Sequence, residues 1–218
     1  MIERAQTLRE EIANALSHGL GFLLAVASLP VLVVFASRHG GAGSVVAAVV
    51  FSVTMMLLYF ASAVYHALPQ GRMKRWFQRF DHAAIFLFIA GSYTPFVLGP
   101  LRGAWGWSLF GVVWGIALVG MVAKVFDRLG HPLWSTGLYV GMGWLALVAI
   151  VPLVQHVAAG GIALLVAGGV AYTVGAVFFL LDNRVRYAHF VWHLFVMAGS
   201  ACHFFAALWH GGTAATMA

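Results

Sequence analysis

Residues 129–181, "LGHPLWSTGLYVGMGWLALVAIVPLVQHVAAGGIALLVAGGVAYTVGAVFFLL", contain no Asp, Glu, Lys or Arg. A helix crosses a hydrocarbon layer of ~30 Å with about 20 residues, whereas this run would form a rod of roughly 80 Å if wholly helical. It is too long for one crossing and suits two, with the turn expected at "QHVAAGG", residues 155–161. The other charge-free runs are 12–37, 39–71, 82–101, 103–123 and 187–218, each sufficient for one crossing after trimming. The total is seven. The predicted spans are 13–37, 44–67, 81–99, 103–123, 133–153, 161–181 and 187–209, and residues 1–218 read as a single all-α, seven-transmembrane helix bundle. A β-barrel needs short alternating strands, and "VVAAVVFSVTMMLLYFASAVYH" at 45–66 is continuously apolar instead.

Composition agrees with a chain that meets lipid. Hydrophobic residues make up 62% and charged residues 8%, against about 25% charged in a soluble domain. The net charge of +6 would suggest nucleic acid in a soluble protein. Here the cations sit in short breaks between apolar runs, so they read as topology signals and no nucleic-acid partner is expected. The lone cysteine, Cys202, excludes an internal disulfide and a cysteine-based zinc module. The first apolar run lacks a small-residue cleavage site, which predicts a retained span in the cell membrane.

Cation placement predicts orientation. Arg4, Arg9, Arg72, Lys74, Arg75, Arg79, Lys124, Arg128, Arg184 and Arg186 fall on one side of a seven-span chain, and only Arg38 and Arg102 on the other. The N-terminus is therefore expected in the cytoplasm, and the C-terminus, beyond "HGGTAATMA", outside. Glycines such as Gly137, Gly141 and Gly143, and those of "GVVWGIALVG" at 111–120, are expected to let helices approach closely. Trp105, Trp107, Trp134 and Trp209, near span ends, read as interface anchors.

Against this background the intramembrane polar residues stand out. His66 lies six residues before Arg72, Asp81 two after Arg79, and His189 and His193 three and seven after Arg186. All four share one depth near the cytoplasmic ends. His189 and His193 project from one helical face, as do Ser62 and His66, and Glu11, Asn14 and His18 share a face of the first helix. Three neutral imidazoles with a water make the tetrahedral set of a catalytic Zn²⁺ site, and Asp81 is the candidate carboxylate beside that water.

The competing reading of each residue is packing or solvation. A pair of histidines four apart is a weak signal in a chain with ten. Asp81 would also suit a helix N-terminus facing the dipole. His203 and His210 read as packed, His39, His131 and His156 as solvated loop or boundary residues, and His82 as interfacial. The shared depth favours a functional interior for the first group, because ionisable groups inside a membrane are costly.

At these residues the sequence resembles the hemolysin III family, within the superfamily of progestin and adipoQ receptors and alkaline ceramidases. The likeness is carried by "EEIANALSHGLG", "SAVYHAL", "RFDHAAIFLFIAGSYTPF" and "HFVWHLFVMAGSACHFF". It implies seven helices around an intramembrane zinc held by His66, His189 and His193. Asp81 would be the water-linked carboxylate and Ser62 the accompanying hydroxyl. Independently of the resemblance, the shared face of Glu11, Asn14 and His18 reads as a second polar layer. The function expected is a zinc-dependent hydrolase of a lipid amide or acyl bond near the cytoplasmic face, with membrane lipid as substrate or ligand and no protein partner assigned. The alternative is a non-enzymatic membrane-homeostasis sensor, receptor-like protein or hemolysin-type pore. The pore ranks lower because the outer half offers few polar groups beyond Ser200 and His203.

Overall fold

The chain enters its first helix through a capping box. Glu10 N–H donates to Thr7 Oγ1 at 3.4 Å, and Thr7 N–H donates to Glu10 Oε2 at 2.9 Å, satisfying donors that a helix start leaves unpaired. From there α1 runs Leu8–His39, followed by α2 Ala42–Ala67, α3 Arg72–Leu98 and α4 Ala104–Val125. The fifth crossing is composite: α5 Pro132–Gly143, a 3₁₀ segment Trp144–Ala149 and α6 Ile150–His156. The last two helices are α7 Ala159–Leu181 and α8 Ala188–His210. This is a computed structural model, and it describes Arg4 and residues 6–212. Thr213–Ala218, in the tail expected outside, lie beyond the described residues.

Seven helical stretches among the described residues are long and apolar enough to cross a membrane, and no strand is found among them. In the charge-free run, α6 ends at His156 and α7 begins at Ala159. Trp144 Nε1 donates to Thr173 Oγ1 at 2.9 Å, pairing residues at similar distances on either side of that break, so the two crossings are antiparallel.

The fifth crossing changes winding for a local reason. Pro152 has no N–H to return to the Val148 carbonyl, and its ring crowds that carbonyl. The preceding turns tighten into the 3₁₀ segment. Tyr93 of α3 covers the disturbed backbone: its hydroxyl lies 2.9 Å from the Met142 carbonyl and 2.8 Å from that of Gly143, and it accepts from Ala146 N–H at 2.9 Å. Irregular backbone at membrane depth persists where protein satisfies it in this way.

Helix α1 packs on α2 and α8, α2 on α3, α3 on α4 and α5, and α7 on α5 and α8. Lipid tails are as apolar as side chains, so close packing and interhelical hydrogen bonds hold such a bundle together. Gly21 and Gly120 are two of the glycines that permit close approach. A Cβ on Gly21 would meet Tyr59 Cδ1 at 2.7 Å, and one on Gly120 would meet Phe86 Cε1 at 2.6 Å.

Other glycines behave differently from expectation. A Cβ on Gly137, Gly141, Gly143, Gly111 or Gly115 would meet no heavy atom within 4 Å. These residues have open space where a side chain would stand, Gly143 at a cavity wall, because spacing alone does not say which side of a uniformly apolar helix faces a neighbour. Two of the ten cations expected on the inner side depart from the simple reading: Lys74 and Lys124 are buried. Trp105, Trp107, Trp134 and Trp209 are all exposed.

Candidate metal centre

Helix α8 begins after Tyr187, which takes a left-handed φ of 59° and has no side-chain cap. The turn is held from outside. Glu10 Oε1 accepts from Tyr187 N–H at 2.9 Å, and Arg4 grips both Glu10 oxygens at 2.8 and 2.7 Å. Arg4 also donates to the Asp182 carbonyl at 3.3 Å. The start of α1 thereby clamps the α7–α8 connection, and His189 and His193 leave that clamp on one face of α8.

His66 approaches from the last turn of α2. Lys74 Nζ donates to the Tyr65 and Leu68 carbonyls at 2.9 and 3.1 Å, satisfying the helix end, and pairs with Glu11 at 3.0 Å. Glu11 is thus shared between Lys74 and His66.

The three imidazoles meet. One ligand atom from each of His66, His189 and His193 lies within 4.8 Å of the others. Ring centroids are 5.0 Å apart for His66 with either partner and 4.8 Å for the α8 pair. All three are buried.

Each ring is oriented through Nδ1. His66 Nδ1 meets Glu11 Oε2 at 2.7 Å, and His189 Nδ1 meets Asp182 Oδ2 at 2.9 Å. His193 Nδ1 meets Ser17 Oγ at 3.0 Å and the Asn14 carbonyl at 3.3 Å. A carboxylate or carbonyl can only accept, so the proton sits on Nδ1 and Nε2 keeps its lone pair. This is the arrangement by which outer oxygens orient metal-bound histidines. His66 Nε2 is buried with no hydrogen-bond partner among the described residues. These three side chains could hold a metal ion, and their chemistry fits zinc, which takes neutral imidazole nitrogens as ligands.

The remaining candidate residues separate into two groups. Ser62 and Asp81 line a cavity of about 110 Å³ together with His189 and His193, whereas His66 lies outside that lining. Ser62 Oγ has no partner among the described residues. Asp81 is not at a helix start, since α3 begins at Arg72, so the dipole reading is excluded. Glu11 and Asn14 contact the histidines as described. His18 instead stacks on His193, with ring centroids 3.4 Å apart and planes 9° from parallel, and both its nitrogens lack partners among the described residues.

His82, expected at the interface, lines the same cavity. His203 packs on Tyr172 at 5.4 Å, while His39, His131 and His156 are exposed.

Sequence reasoning missed Arg4, Glu10, Ser17 and Asp182 as part of this region. Ser17 was within reach, because it lies three residues after Asn14 on the face already marked. Asp182 was not: it sits in a connection, seven residues before the ring it orients, and nothing local distinguishes it from a solvated loop acid.

Known proteins resemble this chain along most of its length. The chain is 44% identical over 210 residues to Hemolysin-3 of Bacillus cereus, covering 96% of this chain and 95% of that one. It is 42% identical over 204 residues to the Hemolysin-3 homolog of Bacillus subtilis (strain 168), covering 94% and 95%. Monocyte to macrophage differentiation factor of Homo sapiens is 26% identical over 212 residues, covering 92% and 84%. A family model described as Haemolysin-III related matches residues 6–204. Seven apolar helices around a buried polar centre, with this likeness along nearly the whole chain, make it a multi-pass integral membrane protein that belongs to the Haemolysin-III related family.

Proposed function

We propose that the protein is a zinc-dependent hydrolase of a lipid amide or related acyl bond, working near the cytoplasmic face of the cell membrane. The observation that carries this reading is the set of three buried imidazoles, each fixed through Nδ1, beside a cavity that also presents a carboxylate and an unpartnered hydroxyl. Zinc held by His66, His189 and His193 would supply Lewis-acid polarisation of an acyl carbonyl and a water acidic enough to attack it at neutral pH.

The other steps belong to the chain's own residues. Asp81 takes the proton of the attacking water at a carboxylate oxygen and returns it to the departing amine or alkoxide. Ser62 Oγ–H donates to Asp81 or to the oxygen of the carbonyl under attack. Leu58, Ile85, Phe88 and Val196, in the wall of the same cavity, receive the acyl chain and exclude water. The inner location rests on the ten-to-two cation split, which favours an N-terminus in the cytoplasm and a C-terminus outside.

A metal-stabilised protein without turnover uses the same centre, so two measurements are needed. Elemental analysis of purified wild type against His66→Ala tests the metal; equal zinc in both refutes the site. Incubation with a panel of ceramide-like amides and phospholipids tests the reaction. Zinc-loaded protein that releases no fatty acid from any of them refutes the enzyme and retains the centre.

A further inference from the structure

The 110 Å³ cavity at the metal centre presents Ser62, Asp81, His189 and His193 at one end. A second cavity of about 90 Å³ adjoins it, and Ser92, Tyr93, Gly143, Trp144 and Gly169 belong to the walls of both. Every residue that lines the second cavity alone is apolar, Phe96, Val97, Leu109, Leu153, Ile162 and Val166 among them. In the common wall Ser92 donates to the Ile89 carbonyl at 2.8 Å, and the Tyr93 hydroxyl is engaged with the Met142 and Gly143 carbonyls. Beyond that wall lie apolar side chains alone.

The common wall is held in shape by one hydroxyl. Thr173 Oγ1 accepts from Trp144 Nε1 at 2.9 Å and donates to the Gly169 carbonyl at 2.7 Å, so α7 fixes the indole of the fifth crossing beside its own glycine. A Cβ on Gly169 would meet Trp144 Cη2 and Cζ2 at 3.4 Å, an ordinary contact. Helix packing would therefore accept alanine here. What the glycine leaves free is space beside the indole.

Helix α3 runs along both spaces and gauges their length. Asp81 lines the first cavity, Ser92 the common wall and Val97 the second. At ~1.5 Å per residue, Ser92 stands about 17 Å and Val97 about 24 Å from the level of Asp81. A saturated chain advances about 1.3 Å per methylene, given carbon–carbon bonds of ~1.5 Å. A twelve-carbon chain with its polar end beside Asp81 stops short of the common wall, and an eighteen-carbon chain passes it.

We infer that the two cavities form one acyl-chain site, with the polar end at the metal centre, a neck between Trp144 and Gly169, and the second cavity receiving the end of chains longer than about fourteen carbons. This names long-chain acyl lipids as the substrate class within the proposed hydrolase function and rests on that reading for the placement of the polar end. Surrounding lipid is as apolar as the cavity wall, so what favours a long chain is the contact it makes in a space that no side chain fills.

The test is equilibrium binding, with no turnover. Purified full-length protein in one detergent is loaded with a fluorescent fatty acid, and displacement by laurate (twelve carbons) and stearate (eighteen) is compared in wild type, Gly169→Ala and Gly169→Leu. Micelles take up stearate equally in all samples, so differences in the stearate-to-laurate affinity ratio come from the site. Gly169→Leu should lower that ratio about 10- to 30-fold, the worth of filling a void of this size, with laurate affinity unchanged. Gly169→Ala should keep the wild-type ratio, because its Cβ makes only ordinary contact. Thermal melting checks folding. A second measurement needs no variant: stearate carrying a diazirine near its methyl end, photolysed in the wild-type protein, should attach to residues that line the second cavity alone.

Equal ratios in wild type and a folded Gly169→Leu, or attachment confined to the first cavity or the outer surface of the bundle, overturns the inference and leaves the hydrolase reading intact. Displacement by neither acid overturns it together with the placement of an acyl chain in the first cavity. Absence of hydrolysis in the separate turnover assay refutes the enzyme without touching the binding result.

Discussion

Two buried regions of this bundle are held by opposite means. Between α3, α4 and the fifth crossing, Phe86, Ala90, Phe96, Val97, Val113 and Met142 form an apolar cluster whose partners are interchangeable hydrocarbon. Where α1, α2 and α8 meet, Glu10, Asn14, Ser17, His66, His189 and His193 are equally buried and are tied through hydrogen bonds. In water the first region would dominate stability. In a membrane the solvent is as apolar as the cluster, so the first depends on fit between surfaces and the second on polar partners that lipid cannot supply.

That contrast can be broken most severely at the imidazoles. His193→Ala or His66→Ala should lower zinc affinity by at least about 100-fold, since a ligand contributes more than the 10–100-fold attached to an outer partner. Equilibrium dialysis against a zinc chelator measures it; retention of wild-type affinity would mean the three rings do not share an ion. Asp182→Ala should weaken zinc by about 10–100-fold while leaving His189 in place, because only the oxygen that orients its Nδ1 is removed.

Glu10→Ala strands the Arg4 guanidinium and the Tyr187 N–H, and should lower stability by about 2–3 kcal/mol. Denaturant unfolding in a single detergent reads that loss, and an unchanged midpoint would show that the clamp is dispensable.

The apolar region should respond to shape alone. Gly120→Val drives a side chain into Phe86 and should cost about 1–3 kcal/mol by the same unfolding measurement, with zinc affinity unaltered. Gly141→Ala faces open space and should change stability by no more than about 0.5 kcal/mol. Equal losses from the two glycine changes would erase the distinction between contact and lipid-facing surface.

Legibility differed between the regions for the same physical reason. Seven helices followed from charge-free lengths, since no other arrangement hides so many backbone amides from lipid. The polar centre was legible in part because a buried histidine or carboxylate is rare enough in an apolar helix to be conspicuous. His66, Asp81, His189 and His193 could be marked by depth, and the α1 face of Glu11, Asn14 and His18 by helical spacing. The contact face of each helix was not legible. Gly141 and Gly120 look alike in a uniformly apolar stretch, and only one of them touches a neighbour.

The chain alone determined the number of crossings, the apolar character of the outside, and which residues were too polar to be there without a reason. Those properties depend on length and solvation, which are summed along the sequence. Tertiary structure alone decided that Asp182 turns His189, that Ser17 and the Asn14 carbonyl turn His193, and that Lys74 is a buried helix-end donor. Such relations join residues on different helices through directional bonds of about 3 Å, and no pattern within one helix records which neighbour will be that close.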